Sequence, residues 1–192
     1  MMKRNIGPCD MFFPVPAALI VSGEGEQANI ATVSWIGILS SDPPTIGISL
    51  RKDRYTLQLI RKGHEFSVNI PSEDLSIQVD YCGIISGRDA NKFEATGFRT
   101  NASLYIRPPL IQDCPYNLEC IVVGEQEIGD FVLVMGKIVA NHIDENLLSP
   151  EGKVEMSAVR PLVYCAGPRE YWNLGCKLDD AYTVGLFMDA ME

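Results

Sequence analysis

A chain of 192 residues with 46% apolar content is long enough to bury roughly 70% of the surface that its unfolded form exposes, so one domain spanning 1–192 needs no disulfide staples. Its 16 Lys and Arg stand against 25 Asp and Glu, a net charge of −9. That balance repels a phosphate backbone and excludes nucleic acid from the expected partners.

The first 21 residues imitate a secretory signal, with Lys3 and Arg4 ahead of the apolar stretch from Met11 to Val21. Pro8, Asp10, Pro14 and Pro16 break any apolar helix there, and no small-residue cleavage site precedes Glu24 and Glu26. No later run approaches the roughly 18 apolar residues of a membrane span. The expectation is a soluble, cytoplasmic protein without a membrane partner.

Strands are predicted at Ala18 to Ser22, Asn29 to Trp35, Thr45 to Leu50, Phe66 to Ile70, Leu118 to Val123 and Phe131 to Ile143, all short or alternating and rich in Val, Ile and aromatics. A short helix fits between Asp53 and Lys62, and Ser72 is read as the N-cap of another, with Glu73 and Asp74 in its first turn. Turns, not crossover helices, join most neighbouring strands. The pattern therefore argues for a mainly β fold, a closed antiparallel barrel of Greek-key-like type with peripheral helices, and against a doubly wound sheet.

Gly23-Glu-Gly-Glu-Gln-Ala28 matches the dinucleotide fingerprint G-x-G-x-x-A, but a strand follows where that fingerprint needs a helix N-terminus. Glu24 and Glu26 would also repel a pyrophosphate, so the segment reads as a hairpin loop.

The next strand sets Asn29, Thr32, Ser34 and Trp35 among Ala31 and Val33, a mixture that covers both the polar edge and the flat face of an aromatic ligand. Ser49-Leu-Arg-Lys-Asp-Arg-Tyr-Thr56 ends a strand and opens a helix. It places Ser49, Arg51, Arg54 and Thr56, with Leu50 between them, beside the free N–H groups of a helix start, which together make a phosphate site. Lys92, on a separate loop or short helix, is a candidate to reach the same ligand.

Cys9, Cys82, Cys114, Cys120, Cys165 and Cys176 include no pair at metal or redox-dithiol spacing and read as buried thiols. His64 and His142 have no ligand-spaced companions, so no metal site and no acyl-transfer site is expected.

In order and spacing, Pro14 to Val21, Asn29 to Trp35, Asp42 to Ser49 with Thr56, and Phe66 to Pro71 resemble the flavin reductase-like family. So do Lys92-Phe93 with Ala95-Thr-Gly97, Pro109 to Ile111, Leu118 to Cys120, Gly136 to Val139 and Pro161 to Tyr164. The resemblance covers a core of about 11–166, leaves a tail of 167–192, and is nearest in pattern to the flavoredoxin type of member. It implies an FMN-binding split barrel that forms a homodimer and exchanges electrons with NAD(P)H or a ferredoxin-like iron–sulfur donor. It also implies FMN contacts from the segments Asn29 to Trp35 and Ser49 to Thr56, and from Lys92. No catalytic side chain is expected, because hydride and single-electron chemistry belongs to the flavin. The alternatives are a non-catalytic FMN electron carrier and a binding module without redox turnover. A role for Trp172 in covering the flavin is a further candidate.

Overall fold

The structure is a computed structural model that describes residues 1–186. In chain order it begins β1 (Val15–Pro16), β2 (Ala18–Ser22), β3 (Asn29–Val33), β4 (Ile36–Ser41), β5 (Pro44–Arg51), α1 (Tyr55–Gly63) and β6 (Glu65–Ile70). It continues through α2 (Ser76–Ile84), α3 (Lys92–Thr96), β7 (Thr100–Asn101), β8 (Leu110–Ile111), β9 (Tyr116–Ile128) and β10 (Phe131–Ile143). It closes with α4 (Met156–Val159), β11 (Leu162–Cys165) and β12 (Glu170–Asn173). The fold is mainly β, and its named strand pairs are antiparallel.

Seven strands form the main sheet in the order β3-β2-β6-β9-β10-β5-β4, beside a three-stranded sheet β1-β11-β12 and the pair β7-β8. The expected closed barrel is corrected here: β3 and β4 are the two edges, and no ladder joins them. The chain passes from one edge to the other through Ser34 and Trp35 alone, so the sheet must roll until its ends meet. The Trp35 carbonyl accepts the Ser49 N–H at 2.9 Å, which draws the chain away from β3 to pair with β5. The result is a barrel split along one line.

Two apolar clusters hold this shape. Inside the roll, Ile20, Ile48, Phe66, Val68, Val132 and Val134 meet Leu57 and Ile60 of α1. Behind β2 and β3, Leu19, Val21 and Ile30 pack on Val79 and Cys82 of α2. β2 is buried on both faces for this reason, and alternation between the two clusters explains its unbroken apolar sequence.

The β2–β3 connection is the hairpin that the sequence led us to expect, tightened by a 3-10 turn at Gly25–Gln27. Gly23 adopts φ +79°, and a Cβ there would lie 2.5 Å from the Gln27 carbonyl oxygen, so only glycine fits the turn. The helix expected from Ser72 starts later, at Ser76, after a 3-10 turn over Glu73–Leu75. Glu73 and Asp74 are drawn to Arg160, each with a contact at 3.0 Å, and do not serve as first-turn acids of α2. Among the described residues no helix is long and apolar enough to cross a membrane. Of the cysteines, Cys82, Cys114 and Cys120 are buried, whereas Cys9 and Cys176 are exposed, and all six are free thiols.

Candidate functional site

The split in the barrel opens into a cavity of about 450 Å³, within the range of small-molecule and cofactor sites. Its wall draws on the edge strand β3 and on β5: Thr32, Val33, Ser34 and Trp35 from the end of β3, and Ser49, Leu50, Arg51 and Arg54 from the end of β5 and the start of α1. These eight residues come from the two segments singled out in the sequence, and rolling of the sheet brings them together.

Trp35 meets Phe131 edge-on, with ring centroids 4.8 Å apart at 60°. The pairing of Phe131 with Arg51 across β10 and β5 places that ring at the cavity. An aromatic wall stands next to a cationic one.

Electrostatics at the β5–α1 corner favour an anion. No side chain caps the N-terminus of α1, so its first N–H groups carry partial positive charge without a side-chain partner. Arg54, at the N-cap, is braced from behind by the Gly83 carbonyl, which accepts from Nη1 at 3.2 Å. Arg51 is exposed and reaches Asp53 at 3.3 Å; this hydrogen bond holds the Asp53 carboxyl below the usual carboxylate range. Lys52, between them, turns away to Glu127 at 2.7 Å.

The other four sequence candidates lie behind the wall and do not line the cavity. Asn29 and Thr56 are both buried and joined to each other, Asn29 Nδ2 donating to Thr56 Oγ1 at 3.0 Å. Ala31 is buried on β3. Lys92 is 4% exposed, and its Nζ donates to the Ile30 and Cys82 carbonyls, each at 2.8 Å. Burial pushes the Lys92 amine down to about 8, against an upward pull from Cys82 and with the Arg54 cation pressing it further down. Burial also pushes the Cys82 thiol up to about 11, against the pull of Lys92. At pH 7 Lys92 is therefore mainly an ammonium and Cys82 a neutral thiol.

The far lip of the cavity was not anticipated. Tyr164 and Arg169 stand there on β11 and the turn before β12, with Asp10 and Met11 from the N-terminal segment. Tyr164 lies in a segment singled out in the sequence, but only as part of an ordered pattern. Arg169 is a lone cation in a Gly-Pro-Arg turn, and nothing local distinguishes it from a solvated surface residue. Trp172 is 55% exposed, hydrogen-bonds Glu170, and does not line the cavity. The expected tail reaches beyond the described residues over its last six positions, 187–192. The histidines sit elsewhere: His64 ends α1 in a left-handed conformation at φ 59°, and His142 lies against Glu119.

Comparison with known proteins adds to this geometry. A family model described as the flavin reductase like domain matches residues 11–175. An uncharacterized protein of Archaeoglobus fulgidus is 33% identical over 157 residues, 82% of this chain and 87% of its own length. Among solved structures, the flavoredoxin of Desulfovibrio vulgaris (Miyazaki F) superposes with a TM-score of 0.91 at 29% identity, covering 96% of this chain and 100% of that one. The flavoredoxin of Methanosarcina acetivorans gives 0.86 at 28%, covering 96% and 97%.

Proposed function

The chain belongs to the flavin reductase like family, and on that premise we propose that it holds FMN in the cavity at the split and moves electrons between reduced nicotinamide or an iron–sulfur partner and the flavin. Membership makes it a flavin-related oxidoreductase or electron carrier; the choice of FMN, of donor and of residues is our reading. The carrying observation is the union of Arg51, Arg54 and the uncapped start of α1 with the Trp35–Phe131 wall in one cavity. A phosphomonoester with close to two negative charges suits the first group, and a flat aromatic ring suits the second.

The bound flavin would supply hydride acceptance at N5 and single-electron transfer. The chain's own part is to bind, orient and exclude water. Arg51 and Arg54 offer guanidinium donors to the phosphate, with Ser49 beside them. Thr32 and Ser34 offer hydroxyls to the ribityl chain and ring edge, and Val33, Leu50 and Trp35 give apolar surface. Asn29, Ala31 and Thr56 support β3 and α1 from behind. No general acid or base is assigned.

We place the whole chain, 1–192, in one split-barrel domain that acts in the cytoplasm as a homodimer. The exposed edge strand β4, on which Ile38 and Leu39 are 63% and 50% exposed, supports a second copy as the partner.

The test is an anaerobic titration of the FMN-loaded protein with NADH and then NADPH, followed by visible flavin absorbance. Rapid bleaching identifies a nicotinamide-dependent reductase. A second reading, a carrier with tightly held FMN, is favoured by the likeness to two flavoredoxins; it requires that the flavin stay oxidised with nicotinamides and bleach with reduced ferredoxin. Failure to load FMN would remove both and leave a binding module.

A further inference from the structure

The last carbonyls of a helix have no partners within it and carry partial negative charge. Near the C-terminal end of α2 three carbonyls meet donors from outside, Cys82 O and Gly83 O in its last turn and Val79 O about one turn earlier. The Thr32 hydroxyl donates to Val79 O, Lys92 Nζ to Cys82 O at 2.8 Å, and Arg54 Nη1 to Gly83 O at 3.2 Å. Two of these donors, Thr32 and Arg54, line the cavity. Lys92 does not, and it spends a second donor on Ile30 O at 2.8 Å, on β3 just two residues ahead of Thr32. α2 also packs closely at this point, since a Cβ on Gly83 would lie 3.4 Å from Thr32 Cβ.

Burying an ammonium is costly unless it is hydrogen-bonded to groups that need its charge. Here it joins two elements: β3, which carries Thr32, and the end of α2, which braces Arg54. We propose that Lys92 is a positioning residue that does not touch the ligand. It ties the end of α2 to β3, holding Gly83 O where it fixes the Arg54 guanidinium toward an incoming phosphate. An arginine held in place loses less side-chain freedom on binding than a free one. Lys92 therefore contributes to phosphate recognition through Arg54. This rests on the FMN reading above.

The experiment compares dissociation constants for FMN and for riboflavin, which lacks the phosphate, in the wild type, Lys92→Met, Arg54→Ala and the double variant, with circular dichroism to establish folding. Lys92→Met is expected to weaken FMN binding by about tenfold, the order of one hydrogen bond to a charged group, and riboflavin binding by no more than about twofold. In the Arg54→Ala background the same change should add less than about twofold, because its route is already gone. Multiplying effects would show direct contact with the phosphate and overturn the proposal; so would equal losses for FMN and riboflavin, or no loss at all. Acetic anhydride labelling of the wild type provides a test that does not depend on the variants folding. Lys92 should resist acetylation with and without FMN, and protection arising only on FMN addition would overturn the proposal. A wild type that binds neither flavin would instead sink the cofactor reading on which this one stands.

Discussion

Glu119, fully buried on β9, holds its Oε1 2.8 Å from Nε2 of His142 on β10. The same carboxylate accepts the backbone N–H groups of Leu104 and Tyr105 at 2.7 Å and of Ile106 at 3.2 Å. One side chain thus fastens the loop between β7 and β8 to the outside of the barrel. Burial pushes its carboxyl up, but the Leu104 and Tyr105 N–H groups and His142 outweigh that and hold it below the ordinary 4.5.

Glu119→Gln keeps one acceptor but turns an amide N–H₂ toward donors. It should lower the unfolding free energy at pH 7 by about 2 to 4 kcal/mol. Because the folded value is depressed, the carboxylate's contribution is complete above about 4.5 and fades as pH falls below it. The gap between wild type and Glu119→Gln in urea unfolding should narrow from pH 7 to pH 3.5; a gap independent of pH would refute the assignment.

Arg51→Ala and Arg54→Ala should each weaken FMN binding by about 1 to 3 kcal/mol, the cost of a lost charge-assisted contact. The larger loss is expected at Arg54, which is braced by Gly83 O, whereas Arg51 is exposed and shared with Asp53. Asp53→Asn should tighten FMN binding by removing that competitor. Fluorescence titration of the flavin decides all three, and unchanged retention in both arginine variants would discard the phosphate site.

The sequence has two tryptophans, of which Trp35 lines the cavity and Trp172 does not. In Trp172→Phe the remaining indole emission should fall steeply as FMN is added. Emission that stays constant while the flavin binds would move the ligand away from Trp35.

Gly136, on β10, faces the barrel interior, where a Cβ would lie 2.5 Å from Phe66 Cζ and 3.2 Å from Cys120 Cβ. Gly136→Ala should destabilise the fold by about 1 to 3 kcal/mol through overpacking. Urea unfolding would measure it, and a neutral result would mean that Phe66 has room to turn.

Much of this architecture is written locally. β2, β3, β5, β6 and β10 are apolar or alternating runs bounded by turn residues, and each is found within a residue or two of its expected place. β4 was missed because Gly37, Ser40 and Ser41 dilute its pattern and its side chains mostly face solvent. β9 runs on to Ile128 through Gly124-Glu-Gln-Glu, a polar stretch that is a strand because β10 pairs with it. The candidate site shows the same division. Ser34, Trp35, Ser49, Arg51 and Arg54 were legible because hydroxyls and cations at strand and helix ends signal ligands. Arg169 reaches the cavity only because β1 and β11 pair across some 150 residues, with Val15 opposite Tyr164. Lys92 carries the opposite lesson: a cation in a connecting segment reads as available, whereas packing of α3 on β3 buries it among carbonyls.

The two-residue step through Ser34 and Trp35 gives the rolled sheet the character of a hoop with a latch. Every neighbouring pair in the main sheet is laced by a ladder; the two ends, β3 and β4, are joined only by that two-residue step, which the bond between Ser49 and Trp35 ties to β5. Because residues 32–35 and 49–51 line the cavity together, a guest there would touch the β3 edge and β5 at once and bridge the split.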